Sequence, residues 1–190
     1  MPSHKRVFII HGWGGSPEGG WLPWLAKNLR DKGFSVEVPE MPDTDNPKME
    51  EWIPHLQALI ENPGENTVLV GHSLGGQAIL RYLAKLPEGT RIGKAVLVAP
   101  VVDEIKNLDA EDRKISSIWL KTLIDTEGAK RSAKEIIAFF SDNDQWIPLS
   151  SEKTLREKFG ARTIIEHNMG HYDNDGKAAE VPKILEEILK

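Results

Sequence analysis

The stretch Thr67-Val68-Leu69-Val70-Gly71-His72-Ser73-Leu74-Gly75-Gly76 decides the fold. An almost continuously apolar run, residues 67–71, leads into a Gly-x-Ser-x-Gly motif, and an amphipathic helix pattern begins at Leu74. This order predicts a sharp turn from a buried strand into a helix, with the Ser73 hydroxyl exposed at the turn. Glycine suits Gly71 and Gly75, because the strand and helix backbones approach closely there.

Five further strand-like runs lie on either side of this motif, at residues 6–11, 34–38, 94–99, 135–140 and 162–166. Four of the six runs are almost continuously apolar, as is typical of parallel strands covered on both faces. Residues 34–38 alternate instead, which predicts a position near an edge. Segments with helical spacing separate the runs. The sequence therefore predicts a three-layer α/β/α sandwich around a doubly wound, mostly parallel sheet of about six strands.

Two segments leave alternatives open within a single domain over residues 1–190. Residues 101–131 form the longest stretch between two strands and are helical at best around residues 115–124. They predict either a small cap beside a site or a crossover helix with a long loop. In the helical pattern of residues 49–60, the helix either starts just before Pro54 or is kinked there. Two further stretches with helical spacing, residues 149–159 and 178–189, predict the last two helices.

Composition excludes several classes of protein. The 190 residues include 24 Lys and Arg against 29 Asp and Glu, and no cysteine. The missing cysteines exclude a disulfide scaffold, a Cys-ligated metal site and a cysteine nucleophile. The acidic balance disfavours nucleic acid as a partner. No run approaches the roughly 18 apolar residues of a membrane span and no segment resembles a signal peptide, so we expect a cytoplasmic protein without a membrane partner.

A serine hydroxyl is a weak nucleophile that needs a base, and in a fold of this kind an acid and then a histidine follow the serine. His167 and His171 are the two histidines after Ser73. We predict His171 as the base, because it lies in a loop after the last strand, where side chains can reach the strand ends. The His-x-x-x-His spacing would suit a metal on a helix, but Asn168 and Gly170 predict a loop, so we expect no metal.

Two carboxylates after the strand at residues 135–140 compete for the role of the acid. This acid accepts the imidazole N–H, fixes the tautomer and stabilises the positive form of the ring. We favour Asp144, which stands four residues before Pro148, whereas Asp142 can cap the turn through its own backbone.

Attack by the serine creates a negatively charged oxygen that needs backbone N–H donors. The glycine-rich stretch Gly12-Trp13-Gly14-Gly15 after the first strand predicts the Trp13 N–H as one donor, and the helix start predicts the Leu74 N–H as the other. A dinucleotide-binding motif is the alternative for this stretch, but Pro17 occupies the place of its third glycine. We therefore expect no cofactor.

Four aromatic side chains are predicted to line a substrate pocket: His11, Trp13, Trp21 and Trp146. Tryptophan is rarely fully buried, so tryptophans near a site often line its mouth. A structural role is the alternative for His11. Trp24 and Trp52 have helical spacing and are expected in the core, and His72 is expected to be a packing residue.

The motifs His11-Gly12-x-Gly14, Gly71-His72-Ser73-Leu74-Gly75, Asp144-x-x-x-Pro148 and Gly170-His171 together resemble the α/β-hydrolase superfamily. The short chain and the segment Trp21-Leu22-Pro23-Trp24-Leu25 are similar, more narrowly, to the small serine hydrolases of the retinoblastoma-binding-protein-nine and YdeN type. The resemblance covers nearly the whole chain. It implies a compact fold with a minimal lid, a triad of Ser73, Asp144 and His171, and esterase-like activity.

The expected reaction is hydrolysis of small acyl esters through an acyl-enzyme intermediate, with a small-molecule ester as the partner. A thioesterase or an amidase would use the same three residues. A hydrolase-fold binding protein without catalytic activity is the alternative from another class.

Overall fold

The six predicted strands form one sheet in the computed structural model, which describes residues 5–173 and 179–190. The strands are β1 (Arg6–Ile10), β2 (Ser35–Glu37), β3 (Thr67–His72), β4 (Ile92–Val98), β5 (Ala133–Ser141) and β6 (Arg162–Glu166). Their order is β2-β1-β3-β4-β5-β6, and every neighbouring pair is parallel. The alternating run lies at an edge, as predicted.

Helices cover both faces of this sheet. They are α1 (Leu22–Asp31), α2 (Met49–Leu59), α3 (Leu74–Ala84), α4 (Ala110–Lys121), α5 (Thr126–Arg131), α6 (Ser151–Phe159) and α7 (Pro182–Leu189). Because crossovers between parallel strands are right-handed, the reversal after β2 places α1 on one face and the later crossover helices on the other. α1 packs against α7, whereas α2, α3, α5 and α6 pack in succession. The fold is the predicted α/β/α sandwich.

The connection between β4 and β5 contains more helix than the sequence indicated. The expectation of helix only around residues 115–124 is wrong, since α4 begins at Ala110 and α5 follows it. The Asp109 carboxylate accepts hydrogen bonds from the backbone N–H groups of Glu111 and Asp112, which caps α4. Asp125 caps α5 in the same way through the N–H of Gly128.

Two other helices differ in their starting points. α2 begins at Met49 and continues through Pro54, so the helix does not start at the proline. The last helix begins at Pro182, and Ala178, where its pattern starts in the sequence, lies outside the described residues.

The core lies between the sheet and both helix layers. Trp52 is fully buried, as expected, and meets the buried Trp119 of α4 edge to face at 5.8 Å, whereas Trp24 is only partly buried. Within residues 5–173 and 179–190, no helix has the length and apolar character needed to span a membrane.

The carboxyl ends of the strands meet at one edge of the sheet. The reversal of chain direction opens a crevice between β1 and β3, where the register places Ile10 beside Gly71. The loops after β1, β3, β5 and β6 leave from this edge. They carry Trp13, Ser73, Asp144 and His171, respectively.

Candidate active site

Ser73 occupies a strained turn between β3 and α3. Its φ of 51° and ψ of −117° lie in a region that a residue with a side chain rarely adopts, at a cost of about 1–3 kcal/mol. The turn is held by the Ser73 N–H, which donates to the Val98 carbonyl at 2.9 Å, and by the Ser73 carbonyl, which accepts from the Val101 N–H at 3.1 Å. Ser73 is 8% exposed and lines a cavity.

Two glycines make this turn possible. A Cβ atom on Gly75 would lie 2.5 Å from the carbonyl oxygens of both Ile10 and His11, and one on Gly71 would lie 2.7 Å from the Gly75 backbone. These distances are shorter than any contact a carbon atom tolerates, and backbone atoms cannot move aside as a flexible side chain does. The spacing of the glycines in the motif therefore follows from the close approach of β1, β3 and α3.

Asp144 and His171 form a buried hydrogen-bonded pair. Oδ2 of Asp144 lies 2.8 Å from Nδ1 of His171, and their side chains are 2% and 10% exposed. The other oxygen of Asp144 accepts hydrogen bonds from the N–H groups of Trp146 at 2.8 Å and Ile147 at 3.0 Å. Because an ionised carboxylate only accepts hydrogen bonds, Nδ1 carries the proton and Nε2 of the neutral ring is left as an acceptor.

Asp142 pairs with the other histidine. Its Oδ2 lies 2.6 Å from Nδ1 of His167, whose side chain is 80% exposed. The pKa of Asp142 is lowered chiefly by the hydrogen bond from the Asn168 N–H and, to a smaller extent, by the hydrogen bond with His167. The two aspartates thus hold different histidines, and only Asp144 holds the one that lines the cavity. Among residues 5–173 and 179–190, no three His, Asp or Glu side chains are grouped to hold a metal ion.

The loop that carries His171 is tied to the loop after β5 on its amino-terminal side. The Ser141 hydroxyl oxygen accepts a hydrogen bond from the Met169 N–H at 3.0 Å, and Oδ1 of Asn143 accepts one from the Gly170 N–H at 2.8 Å. Four consecutive residues, 141–144, therefore each bond to the loop at residues 167–171.

His72 and Trp21 contact the same loop on the other side. Nε2 of His72 donates to the His171 carbonyl at 2.7 Å, and Nε1 of Trp21 donates to the Tyr172 carbonyl at 3.0 Å. His72 also packs against the rings of Trp21 and His171, so it is a packing residue, as expected, that makes a hydrogen bond as well. Trp21 lines the cavity and is fully buried. Burial is the main cause that lowers the pKa of His72 to about 3, and the neighbouring His171 is the second cause. The His72 ring is therefore neutral.

The predicted oxyanion donors lie at the same cavity. Both Trp13 and Leu74 line it, and neither backbone N–H donates a hydrogen bond to another described residue. The Trp13 loop is fixed by its indole N–H, which donates to the Asp45 carbonyl at 3.0 Å, and by the Gly14 N–H, which donates to the Thr44 carbonyl at 2.8 Å. Two unused N–H groups on rigid backbone are suited to bind a negatively charged oxygen.

The cavity has a volume of about 540 Å³. Trp13 and Trp146 form partly exposed walls. His11 also lines the cavity but is 2% exposed; its Nδ1–H donates to the Gly12 carbonyl and its Nε2 accepts from the Met41 N–H. Because one ring nitrogen donates and the other accepts, these two hydrogen bonds hold the ring in its neutral form and fix the loop after β1. Burial lowers the pKa of His11.

Ser73 and His171 line this cavity together, yet no hydrogen bond joins their side chains in the described part of the chain. Hydrogen bonds between a nucleophile and its base are often long before substrate binds, and they shorten in the reactive complex.

A parallel sheet with a strained serine at the end of its central strand, facing an Asp–His pair, defines an α/β hydrolase. More specifically, the serine hydrolase family profile matches residues 7–189, and the chain belongs to this family. It is 31% identical to YdeN of Bacillus subtilis (strain 168) over 185 residues, which cover 97% of this chain and 94% of YdeN. It is 24% identical to the serine hydrolase RBBP9 of Rattus norvegicus over 192 residues, which cover 100% and 98% of the two chains.

The solved structures agree with this assignment. The crystal structure of YdeN from B. subtilis matches with a TM-score of 0.89 at 29% identity and covers 97% of each chain. Est1E from Butyrivibrio proteoclasticus, solved with ferulic acid bound, matches with a TM-score of 0.74 at 13% identity, covering 97% of this chain and 88% of that one, and shares the fold. The family predicted from the motifs is confirmed.

Proposed function

We propose that this serine hydrolase is an esterase that cleaves small acyl esters through a covalent acyl-enzyme. The observation that carries the proposal is the pairing of Asp144 with His171, a histidine that lines the same cavity as Ser73. In this proposal Ser73 is the nucleophile, His171 is the base and then the acid, and Asp144 orients the imidazole and stabilises its positive form.

In the first half-reaction, Oγ of Ser73 attacks the ester carbonyl carbon and its proton passes to Nε2 of His171. The carbonyl electron pair moves onto oxygen, and the Trp13 and Leu74 N–H groups bind the oxyanion. The intermediate collapses, the bond to the alcohol oxygen breaks, and His171 protonates the leaving alcohol. Ser73 now carries the acyl group.

In the second half-reaction, His171 takes a proton from water as the water oxygen attacks the acyl carbon. The second oxyanion collapses and the bond to Oγ breaks. His171 returns the proton to Ser73, and a carboxylic acid is released. The strained turn at Ser73 suits both steps, because it presents Oγ above the start of α3, whose N-terminal dipole stabilises negative charge.

The cavity supports small substrates of neutral charge. Its volume of about 540 Å³ lies within the range of roughly 300–1,000 Å³ that small-molecule sites occupy. Asp112 and Asp173 line it, and no Lys or Arg side chain does so among the described residues. A carboxylate on the substrate would therefore be repelled, and the carboxylate product would be released readily.

The test is hydrolysis of p-nitrophenyl acetate and butyrate by the wild-type chain and by Ser73→Ala. The variant is expected to lose at least about 10³-fold in kcat/KM, because removal of a nucleophile leaves only oxyanion binding. A thioester and an anilide of the same acyl group, assayed alongside, separate an esterase from a thioesterase or an amidase. Equal turnover by both proteins would overturn the proposal, and absence of turnover by either would favour a non-catalytic binding protein.

A further inference from the structure

We infer that His72 and Trp21 are positioning residues: together they clamp the main chain at His171 and Tyr172 and so hold the imidazole between Asp144 and Ser73. This inference rests on the proposed function, in which His171 is the base. The side chains of His72 and Trp21 form hydrogen bonds with backbone carbonyl groups, and neither bonds to Asp144 or takes part in the proton transfer.

The two hydrogen bonds act on adjacent carbonyl groups from different parts of the fold. His72 is the last residue of β3 and bonds to the carbonyl of His171, 99 residues further along. Trp21 precedes α1 and bonds to the carbonyl of Tyr172, 151 residues further along. The rings of His72 and Trp21 also meet edge to face, with centroids 5.9 Å apart. The two side chains that form the clamp are therefore in contact with each other and act on the loop as one unit.

The backbone around His171 needs such support. Gly170 has a φ of 57° and Tyr172 a φ of 54°, so His171 stands between two residues in the left-handed region. For tyrosine this conformation costs about 1–3 kcal/mol and persists only where the surroundings fix it. The bonds from residues 141–143 fix the loop before His171. His72 and Trp21 fix the two carbonyl groups at and after it.

The bond to Asp144 alone would not fix the base. A single hydrogen bond to Nδ1 sets the ring tautomer, but the ring can still turn about that bond and shift with its backbone. Reacting atoms must be aligned closely, and a displacement of about 1 Å can lower a rate roughly 100-fold. A clamp on the main chain removes this freedom while leaving Nε2 of His171 open toward the cavity.

His72 suits this role because it carries no charge. Its ring centroid lies 4.9 Å from that of His171, where a second positive ring would oppose the imidazolium that forms during the reaction. Burial keeps the pKa of His72 at about 3, so Nε2 remains a neutral donor throughout the range in which the base works. His72 also adjoins Ser73 in sequence, so one segment holds both the nucleophile and the backbone of the base.

Three variants test the clamp. His72→Leu removes the donor and fills a similar space, His72→Gln places an amide N–H near the position of Nε2, and Trp21→Phe keeps an aromatic ring without the N–H. We expect kcat for a p-nitrophenyl ester to fall about 10- to 100-fold in His72→Leu and about threefold to tenfold in Trp21→Phe. His72→Gln should recover to within about threefold of wild type.

Two measurements separate positioning from general loss of structure. The rate constant for modification of Ser73 by a small fluorophosphonate depends on the base, and we expect it to fall with kcat, whereas the unfolding temperatures of His72→Leu and His72→Gln should differ little. In protein labelled with ¹⁵N-histidine, the NMR signal of the His171 Nδ1–H should broaden in His72→Leu and sharpen again in His72→Gln. This signal reports on the clamp even if no ester is turned over.

The outcomes also separate the clamp from the function on which it rests. Wild-type turnover that Ser73→Ala abolishes, with kcat and the NMR signal unchanged in His72→Leu and Trp21→Phe, overturns the clamp and leaves the esterase in place. Loss of the NMR signal in His72→Leu with no ester hydrolysis by wild type upholds the clamp and overturns the esterase. A His72→Gln variant as inactive as His72→Leu contradicts the role of the Nε2 donor.

Discussion

Nδ1 of His171 lies 2.8 Å from Oδ2 of Asp144, and the other oxygen of that carboxylate is occupied by two backbone N–H groups. We therefore expect Asp144→Asn to lower kcat/KM for a p-nitrophenyl ester by about 10²- to 10⁴-fold. An amide can turn an N–H toward the ring, which favours the wrong tautomer and no longer stabilises the imidazolium.

Asp142→Asn is the matched control for this variant, because Asp142 follows the same strand and also pairs with a histidine. Its partner His167 is exposed, and an asparagine can still accept the Asn168 N–H. We expect less than about a threefold change in kcat/KM. A larger loss of kcat/KM in Asp142→Asn than in Asp144→Asn would show that Asp142, and not Asp144, is the acid.

The close approach of β1 to the start of α3 predicts a severe effect of Gly75→Ala. The added Cβ would lie 2.5 Å from two backbone oxygens, so the strand and helix must separate. We expect a loss of about 3 kcal/mol in the free energy of unfolding, measured by urea denaturation. Gly64→Ala is the control, since its Cβ would meet only a side-chain atom at 3.6 Å and should change stability by less than about 1 kcal/mol.

The neutral state of His72 predicts a dependence of stability on pH. Its pKa is about 3 in the folded chain and near 6.5 when unfolded, so below pH 6.5 the unfolded chain binds the extra proton. Stability from this group is therefore full above pH 6.5 and falls as the pH drops toward 3. Between pH 6.5 and 4.5, we expect the free energy of unfolding, measured by urea denaturation, to fall by about 2 kcal/mol less in His72→Gln than in wild type. Parallel curves for the two proteins would contradict a neutral His72.

The charge of the cavity predicts discrimination against anionic esters. With Asp112 and Asp173 in the wall, we expect 4-carboxyphenyl acetate to be hydrolysed about tenfold more slowly than phenyl acetate, although its leaving group is better. The difference should shrink as salt is added, because salt screens the repulsion. Faster hydrolysis of the anionic ester at low salt would show that these carboxylates do not control the site.

Much of this arrangement could be predicted from the sequence because it depends on local patterns. The apolar run at residues 67–71 and the glycines around Ser73 indicate a strand, a turn and a helix without reference to distant residues. Chain order then points to a histidine after the last strand. The choice of Asp144 also followed from local spacing, and the geometry at His171 supports it.

Other features depend on contacts that no local pattern encodes. The hydrogen bonds from His72 and Trp21 join residues about 100 and 150 positions apart, so sequence position suggested packing for one and a pocket wall for the other. The helices between β4 and β5 are different, because a local signal existed: Asp109 and Asp125 are both N-cap residues, and each marks a helix start that the apolar pattern did not show.

The central claim is that Ser73 is a nucleophile activated by the Asp144–His171 pair, and covalent labelling tests it most directly. The wild-type chain is incubated with a small fluorophosphonate, and the adduct is located by mass spectrometry of its peptides. We predict one adduct per chain on Ser73, with no adduct in Ser73→Ala and labelling at least about 100-fold slower in His171→Ala. An unlabelled wild-type chain, or an adduct that persists in Ser73→Ala, would contradict the account.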